Sequence, residues 1–324
     1  MKRLYPDIGC YASGYLQTQD DIALYYELSG NPEGIPVLYI HGGPGAGLSP
    51  DYRRFFDGNR YRIIAFEQRG CGRSKPFGST TNNTTQDTLS DITALRRHLG
   101  IERWILFGGS WGATLALLSA IEAPQTVLGL ILRGVFLARQ EDRDWFLGPD
   151  GGGAQLFPEY YEQFVAGIAA PVTPARICQW YQQQFDLPNE AQRLSALKRW
   201  YVWEERLSRL SLPPGTGDFT THYPLPLVTC LAKLECHYLL NDCFLAENYI
   251  LDNIHKISHL PGTIVHGRYD VICKARAAWQ LHKAWQASNL FIVADAGHTT
   301  SEIGVALKLC RATRDMSRYV GETS

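Results

Sequence analysis

Trp104-Ile105-Leu106-Phe107-Gly108-Gly109-Ser110-Trp111-Gly112-Ala113-Thr114-Leu115-Ala116-Leu117-Leu118 passes from a short apolar run, through a Gly-x-Ser-x-Gly turn, into a helix-like segment. A strand, a sharp turn and a helix in that order hold a serine in a strained backbone conformation with its hydroxyl above the end of a sheet. Glycines on both sides let the backbone approach closely. The helix start adds unpaired N–H groups and the positive end of a dipole. A chance glycine-rich turn would carry the same five letters. The strand before it and the helix after it favour Ser110 as a nucleophile.

Outward from this stretch, short apolar runs recur at Pro36–Ile40, Tyr61–Phe66, Val127–Val135, Gly262–Val265 and Leu290–Val293, each ending at Gly-rich or polar residues. Continuous runs of Val, Ile and Leu suit strands buried on both faces, as in a parallel sheet covered by helices. Helix-like stretches such as Thr88–Leu99 and Trp111–Glu122 separate them, which predicts an α/β layered architecture with a doubly wound, mostly parallel sheet. Gly14–Tyr26 alternates loosely and predicts antiparallel strands at the sheet edge. From about Ala138 to Leu245 strand-like runs give way to aromatic, Gln and Arg residues (Tyr160-Tyr161, Trp180-Tyr181, Trp200-Tyr201-Val202-Trp203). This segment is expected to be a helical cap domain, 138–245, inserted into a catalytic domain made of 1–137 and 246–324. Pro213-Pro214-Gly215-Thr216-Gly217 predicts a loop inside it.

The chain has 324 residues, 45% hydrophobic and 19% charged, enough for a sizeable core. With 31 Lys and Arg against 32 Asp and Glu the net charge is -1, and no basic stripe stands out. Nucleic acid and anionic membrane surfaces are therefore not expected partners. There is no uncharged apolar run near the length of a membrane span. The N-terminal MKRLYPDIGCYASGY lacks the apolar core of a secretory signal. The 8 cysteines are scattered without a CxxC pair, which reads as free thiols in a reducing cytoplasm.

His41-Gly42-Gly43-Pro44-Gly45 directly follows the run ending at Ile40. Acyl transfer needs N–H donors aimed at a developing oxyanion, and a glycine-rich turn brings backbone that close. Donors near Gly43 and from Trp111, the residue after the serine, are expected to form this oxyanion hole. A serine hydroxyl also needs a base, held in orientation by an acid. His298, in Ala296-Gly297-His298 just past the run ending at Val293, is the favoured base. Asp270, in His266-Gly267-Arg268-Tyr269-Asp270, is the favoured acid. His266 and Asp295 are the rivals, with His266 expected to be a packed structural residue. The histidines show no HExxH or other metal-ligand spacing, so neither a metal nor a cofactor is expected.

With these residues in place, the sequence resembles the proline iminopeptidase (prolyl aminopeptidase) branch of the α/β-hydrolases. The resemblance spans almost the whole chain. It is carried most specifically by His41–Gly45, by Gln68-Arg69-Gly70-Cys71-Gly72-Arg73-Ser74 and by Gly108–Gly112, with Leu132-Arg133-Gly134 and Asn83-Thr84-Thr85 in support. It implies the α/β-hydrolase fold with a helical cap, a Ser110, Asp270 and His298 triad, and release of N-terminal proline from short peptides through an acyl-enzyme. In this family a W-x-x-W-E and an E-x-H-Y segment supply carboxylates that bind the substrate's free amino group. Trp200-Tyr201-Val202-Trp203-Glu204 and Glu235-Cys236-His237-Tyr238 match them, which assigns substrate binding to Glu204 and Glu235. A buried ammonium is tolerated only when paired and hydrogen-bonded, which is the physical reason for such carboxylates. From the residues alone, Glu204 beside Glu205 would read as part of a solvated helix face.

The chain departs from the family at Glu67, Ala113 and Lys274, and at Cys236 and Leu239 beside the second carboxylate. The last two could reshape the pocket for the first side chain. Two other functions fit the same motifs. One is an esterase, or an aminopeptidase preferring another residue. The other is a non-catalytic member that keeps the pocket for binding.

Overall fold

The computed structural model describes residues 4–210 and 225–323. Eight strands form one sheet in the order β1-β2-β4-β3-β5-β6-β7-β8. They are β1 Cys10–Gln17, β2 Ala23–Gly30, β3 Ile35–Ile40, β4 Tyr61–Phe66, β5 Trp104–Gly109, β6 Val127–Arg133, β7 Gly262–Gly267 and β8 Ser288–Val293. β1 pairs antiparallel with β2, and β2 with β4. Every other pairing is parallel. The loosely alternating segment near the N-terminus is thus the antiparallel edge, and the apolar runs are the parallel centre.

Those runs are continuous because neighbouring residues serve opposite layers. Leu38, Ile64, Leu106, Leu132 and Ile264 pack into one core with helix α2 (Trp111–Glu122). Their neighbours Val37, Ile63, Ile105, Ile131 and Val265 pack into a second core against α11 (Ile303–Thr323). Each such side chain buried on both faces stabilises the sheet by about 1.5–3 kcal/mol. Helix α1 runs over Thr85–His98, three residues earlier than its apolar pattern suggests. The Thr84 side chain accepts from the Asp87 N–H, and the Asp87 carboxylate accepts from the Thr84 N–H. This reciprocal cap is what fixes the start.

Between β6 and β7 the described chain holds helices and no strand. These are α3 (Gln140–Leu147), α4 (Gly152–Leu156), α5 (Pro158–Val165), α6 (Pro174–Phe185), α7 (Glu190–Ser208), α8 (Leu225–Leu240) and α9 (Tyr249–Asn253). Their aromatic residues pack on one another: Phe164 stacks on Trp203 at 5.0 Å and on Tyr181 at 5.0 Å, with Trp200 edge-on to both. The loop expected at Pro213–Gly217 lies outside the described residues. α10 (Ala275–Ala284) completes the set between β7 and β8.

Candidate active site

Ser110 joins β5 to α2 with φ 57° and ψ −124°, a conformation open to few L-residues and costing of order 1–3 kcal/mol. Its N–H donates to the Arg133 carbonyl of β6 at 2.9 Å, which pins the turn to the neighbouring strand. A methyl group on Gly108 would strike the Gly112 carbonyl, and one on Gly112 would strike the Ile40 carbonyl. Both glycines are therefore required by close backbone approach.

The His41–Gly45 loop packs against this turn, and a methyl on Gly42 would sit 3.3 Å from the Ser110 Cβ. Gln68 holds the loop in place. Its N–H donates to His41 Nε2 at 3.0 Å, and its side-chain amide donates to the His41 carbonyl at 2.8 Å. Gly43, Ser110 and Trp111 line one pocket together with Phe136, Phe146 and Glu235. Trp111 is the first residue of α2, where the N–H has no partner within the helix.

Asp270 follows β7 and is buried. One carboxylate oxygen accepts from the N–H groups of Ile272 and Cys273 at 3.1 and 2.7 Å, and the other from His298 Nδ1 at 2.7 Å. Burial alone would raise this carboxyl, but His298 by charge and hydrogen bond, helped by His266 and the Cys273 N–H, holds it below its usual range. Burial pushes the His298 imidazole down, with the Arg133 cation adding to the effect and Asp270 opposing it. The balance favours the neutral imidazole. With its proton on Nδ1, His298 presents Nε2 as an acceptor, and Arg133 Nη1 occupies it at 2.8 Å. Ser110 Oγ lies 4.0 Å from Cys273 Sγ.

The two rivals fall elsewhere. His266 is buried, accepts from the Val135 N–H at 3.1 Å and pairs with the Cys273 carbonyl at 2.7 Å, so both its nitrogens are engaged in holding the loop that carries Asp270. Asp295 is exposed.

Helix α8 brings Glu235 into the lining of this pocket, and α7 holds Glu204 close enough to Glu235 and Arg133 for their charges to act on it. α7 ends at Ser208, whose carbonyl accepts from the His298 N–H at 3.0 Å. α8 places Cys230 and Leu231 against Gly45 and sets Tyr238 edge-on to Trp111 at 4.9 Å. The helices that carry the carboxyl groups are thus docked on the histidine loop and the glycine loop. Glu235 is buried and accepts from the Trp200 indole N–H at 2.7 Å. Burial pushes its carboxyl up to about 8, against the lowering effect of that hydrogen bond. Glu204 is half-buried, yet its Oε2 is fully buried with no hydrogen-bond partner. Burial, then the facing Glu235 carboxyl, pushes Glu204 well above the usual range, and Arg133 opposes this. The buried Glu235 carboxyl and the buried, unpartnered Oε2 of Glu204, with one nearby guanidinium, form a site suited to a cation.

The sequence reading missed Arg133 as a site residue, although it stands at the carboxyl end of β6 beside the serine, where strand-end residues serve sites in such sheets. It also missed Trp200, the partner of Glu235, and the pocket walls Phe136, Phe146, Cys243 and Ile272. Cys71, in the Gln68–Ser74 motif, is buried in a separate cluster with Cys230 and Leu234.

A serine on a strained strand-to-helix turn, a glycine loop beside it and a buried acid–histidine pair define the chain as a hydrolase of the α/β-hydrolase fold. Residues 35–304 match the family model for the alpha/beta hydrolase fold. The chain is 42% identical to the proline iminopeptidase of Xanthomonas citri, covering 97% of this chain and 99% of that one. It is 40% identical to the proline iminopeptidase of Arabidopsis thaliana, covering 99% and 83%. The chain belongs to the proline iminopeptidase family. Among solved structures, the proline iminopeptidase of Mycobacterium smegmatis superposes with a TM-score of 0.60 at 16% identity, covering 97% of this chain and 100% of that one. An esterase from Exiguobacterium antarcticum gives 0.60 at 20%, covering 95% and 99%. At such identities these two speak for the fold alone. Among the described residues no helix is long and apolar enough to cross a membrane.

Proposed function

We propose that the protein releases N-terminal proline from short peptides through an acyl-enzyme on Ser110. The observation that carries this reading is the buried pair Glu204 and Glu235 beside the serine pocket. A prolyl terminus is a secondary ammonium with two N–H donors, and two carboxyl groups accept both. A primary ammonium brings a third donor that would need a further acceptor in a desolvated site. The apolar walls Phe136, Phe146, Leu239 and Ile272 suit the carbon face of a pyrrolidine ring.

In this mechanism Ser110 Oγ attacks the prolyl carbonyl and passes its proton to His298 Nε2. Asp270 keeps the Nδ1–H tautomer and stabilises the imidazolium. The N–H groups of Gly43 and Trp111 hold the oxyanion. Arg133 must leave Nε2 before the serine can use it, and the ionised Glu204 is the neighbouring anion that can draw it away. His298 then protonates the leaving amine, and water attacking the ester repeats the sequence. Residues 138–245 act as the cap domain over the catalytic domain of 1–137 and 246–324. The substrates are short peptides because this cap covers the pocket. None of the eight cysteines takes part in a disulfide, which fits a reducing cytoplasm.

The test is turnover of a panel of aminoacyl amides together with N-acetylprolyl amide and a simple acyl ester. Prolyl amide should be the best amide, and N-acetylprolyl amide should be refused because it carries no cation. Equal turnover of the acetylated and free substrates would remove the aminopeptidase reading and leave an esterase or amidase.

A further inference from the structure

Among the described residues, one group of three metal-ligating side chains stands together, and it includes a residue that the mechanism does not use. A carboxylate oxygen of Asp270, the sulfur of Cys273 and a ring nitrogen of His298 lie within 4.8 Å of one another, and all three residues are buried. Cys273 sits between the acid and the serine. Its N–H donates to Asp270, and its sulfur is 4.0 Å from Ser110 Oγ.

We propose that Asp270, Cys273 and His298 form an inhibitory site for a borderline-soft divalent cation, zinc above all, and that its occupation switches the hydrolase off. Thiolate, imidazole and carboxylate together are the donor set zinc takes in preference to magnesium or calcium. Ligand bonds of about 2.0–2.3 Å in a tetrahedron put the ligand atoms roughly 3.3–3.7 Å apart. The cluster reaches that spacing by small side-chain movements. The sulfur moves inward, and the 2.7 Å contact between Asp270 and His298 opens to admit the ion.

On binding, the thiol gives its proton to solvent, one metal–sulfur bond forms, and no oxidation occurs. Thiolate and carboxylate then neutralise the two charges of the cation, so no net charge is left buried. His298 binds through Nδ1, whose proton leaves to solvent while Nε2 takes one up, so the Arg133 guanidinium, which can only donate, gives up its 2.8 Å bond to Nε2. The fourth position faces Ser110 and takes water or the serine oxygen. Coordination breaks the hydrogen bond that orients the base, so the metal-bound and working states exclude each other. Turnover itself needs no metal.

The test uses EDTA-treated enzyme titrated with CoCl2 and, separately, with ZnCl2. Wild type should develop a thiolate-to-cobalt absorption in the near ultraviolet at one equivalent, and zinc should abolish it. Zinc should lower hydrolysis of the acyl ester by at least about 10³-fold at saturation, as expected when the base is lost. In Cys273→Ser the absorption should be lost and the inhibition should require at least about 100-fold more metal, measured against that variant's own uninhibited rate. His298→Ala should also lose the absorption, and Cys71→Ala should retain it. The optical signal does not depend on any peptide being cleaved, so it stands or falls apart from the proposed reaction. No absorption in wild type, an absorption unchanged in Cys273→Ser and His298→Ala, or zinc inhibition with the same midpoint in Cys273→Ser would overturn the proposal.

Discussion

Replacing Glu235 by Gln keeps the shape of the side chain and an oxygen to accept from Trp200, and removes only the capacity for negative charge. Burial pushes the Glu235 carboxyl up to about 8, and burial with the neighbouring Glu235 carboxyl raises Glu204 well above its usual range. The prolyl cation must therefore bring ionisation with it, and its affinity rests on the charged pair it creates. Removing one partner of a buried charge pair typically costs about 2–5 kcal/mol, or roughly 30- to several thousand-fold in kcat/KM. An exposed pair would cost at most about 1 kcal/mol, so the size of the loss separates a binding site from a helix surface. The assay is kcat/KM for prolyl amide and for a small acyl ester, in wild type, Glu235→Gln and Glu204→Gln. The ester uses Ser110, His298 and the oxyanion donors but carries no cation, so its hydrolysis should change by less than about threefold. Losses of equal size on both substrates would mean damage to the α7–α8 packing. An intact prolyl amide rate in both variants would refute the assignment of these carboxyls.

The raised carboxyls also set a pH dependence. The folded protein holds protons that the unfolded chain releases above about 4.5, so stability falls as pH rises from there through about 8. Thermal denaturation of the free enzyme should show this slope in wild type and a shallower one in Glu235→Gln; identical slopes would place the ionisation elsewhere. Bulky thiol reagents should block the enzyme at Cys273 and Cys243, which line the pocket, and not at Cys71, which does not. Full sensitivity in a Cys243→Ala, Cys273→Ala double variant would contradict this. In Arg133→Met the His298 imidazole loses a neighbouring cation and should titrate higher, moving the acidic limb of ester hydrolysis to higher pH. An unmoved limb would show that Arg133 does not act on the base.

The sheet was legible because its information is local. Runs such as Ile63–Phe66 and Leu130–Leu132 are apolar at every position because they serve two cores, and the glycines around Ser110 answer to close backbone approach. The pairing of Asp270 with His298 was legible from their places after strands β7 and β8. Arg133 was not, because its importance comes from reaching Nε2 of a histidine 165 residues away. Glu204 was legible only through family motifs. Nothing in Trp203-Glu204-Glu205 alone says which carboxyl turns inward, and that depends on α7 docking its end on the His298 loop. Cys71 shows the converse. It sits in a site motif, but its loop turns the thiol into a buried cluster.

The most direct measurement of the central claim is the mass of the enzyme quenched in acid during turnover of a prolyl ester, followed by peptide mapping. A prolyl group should be found on the peptide containing Ser110, and should be absent from Ser110→Ala, which should also turn over at least about 10⁴-fold more slowly. A prolyl adduct on Cys273, or rapid product release by Ser110→Ala, would contradict the account.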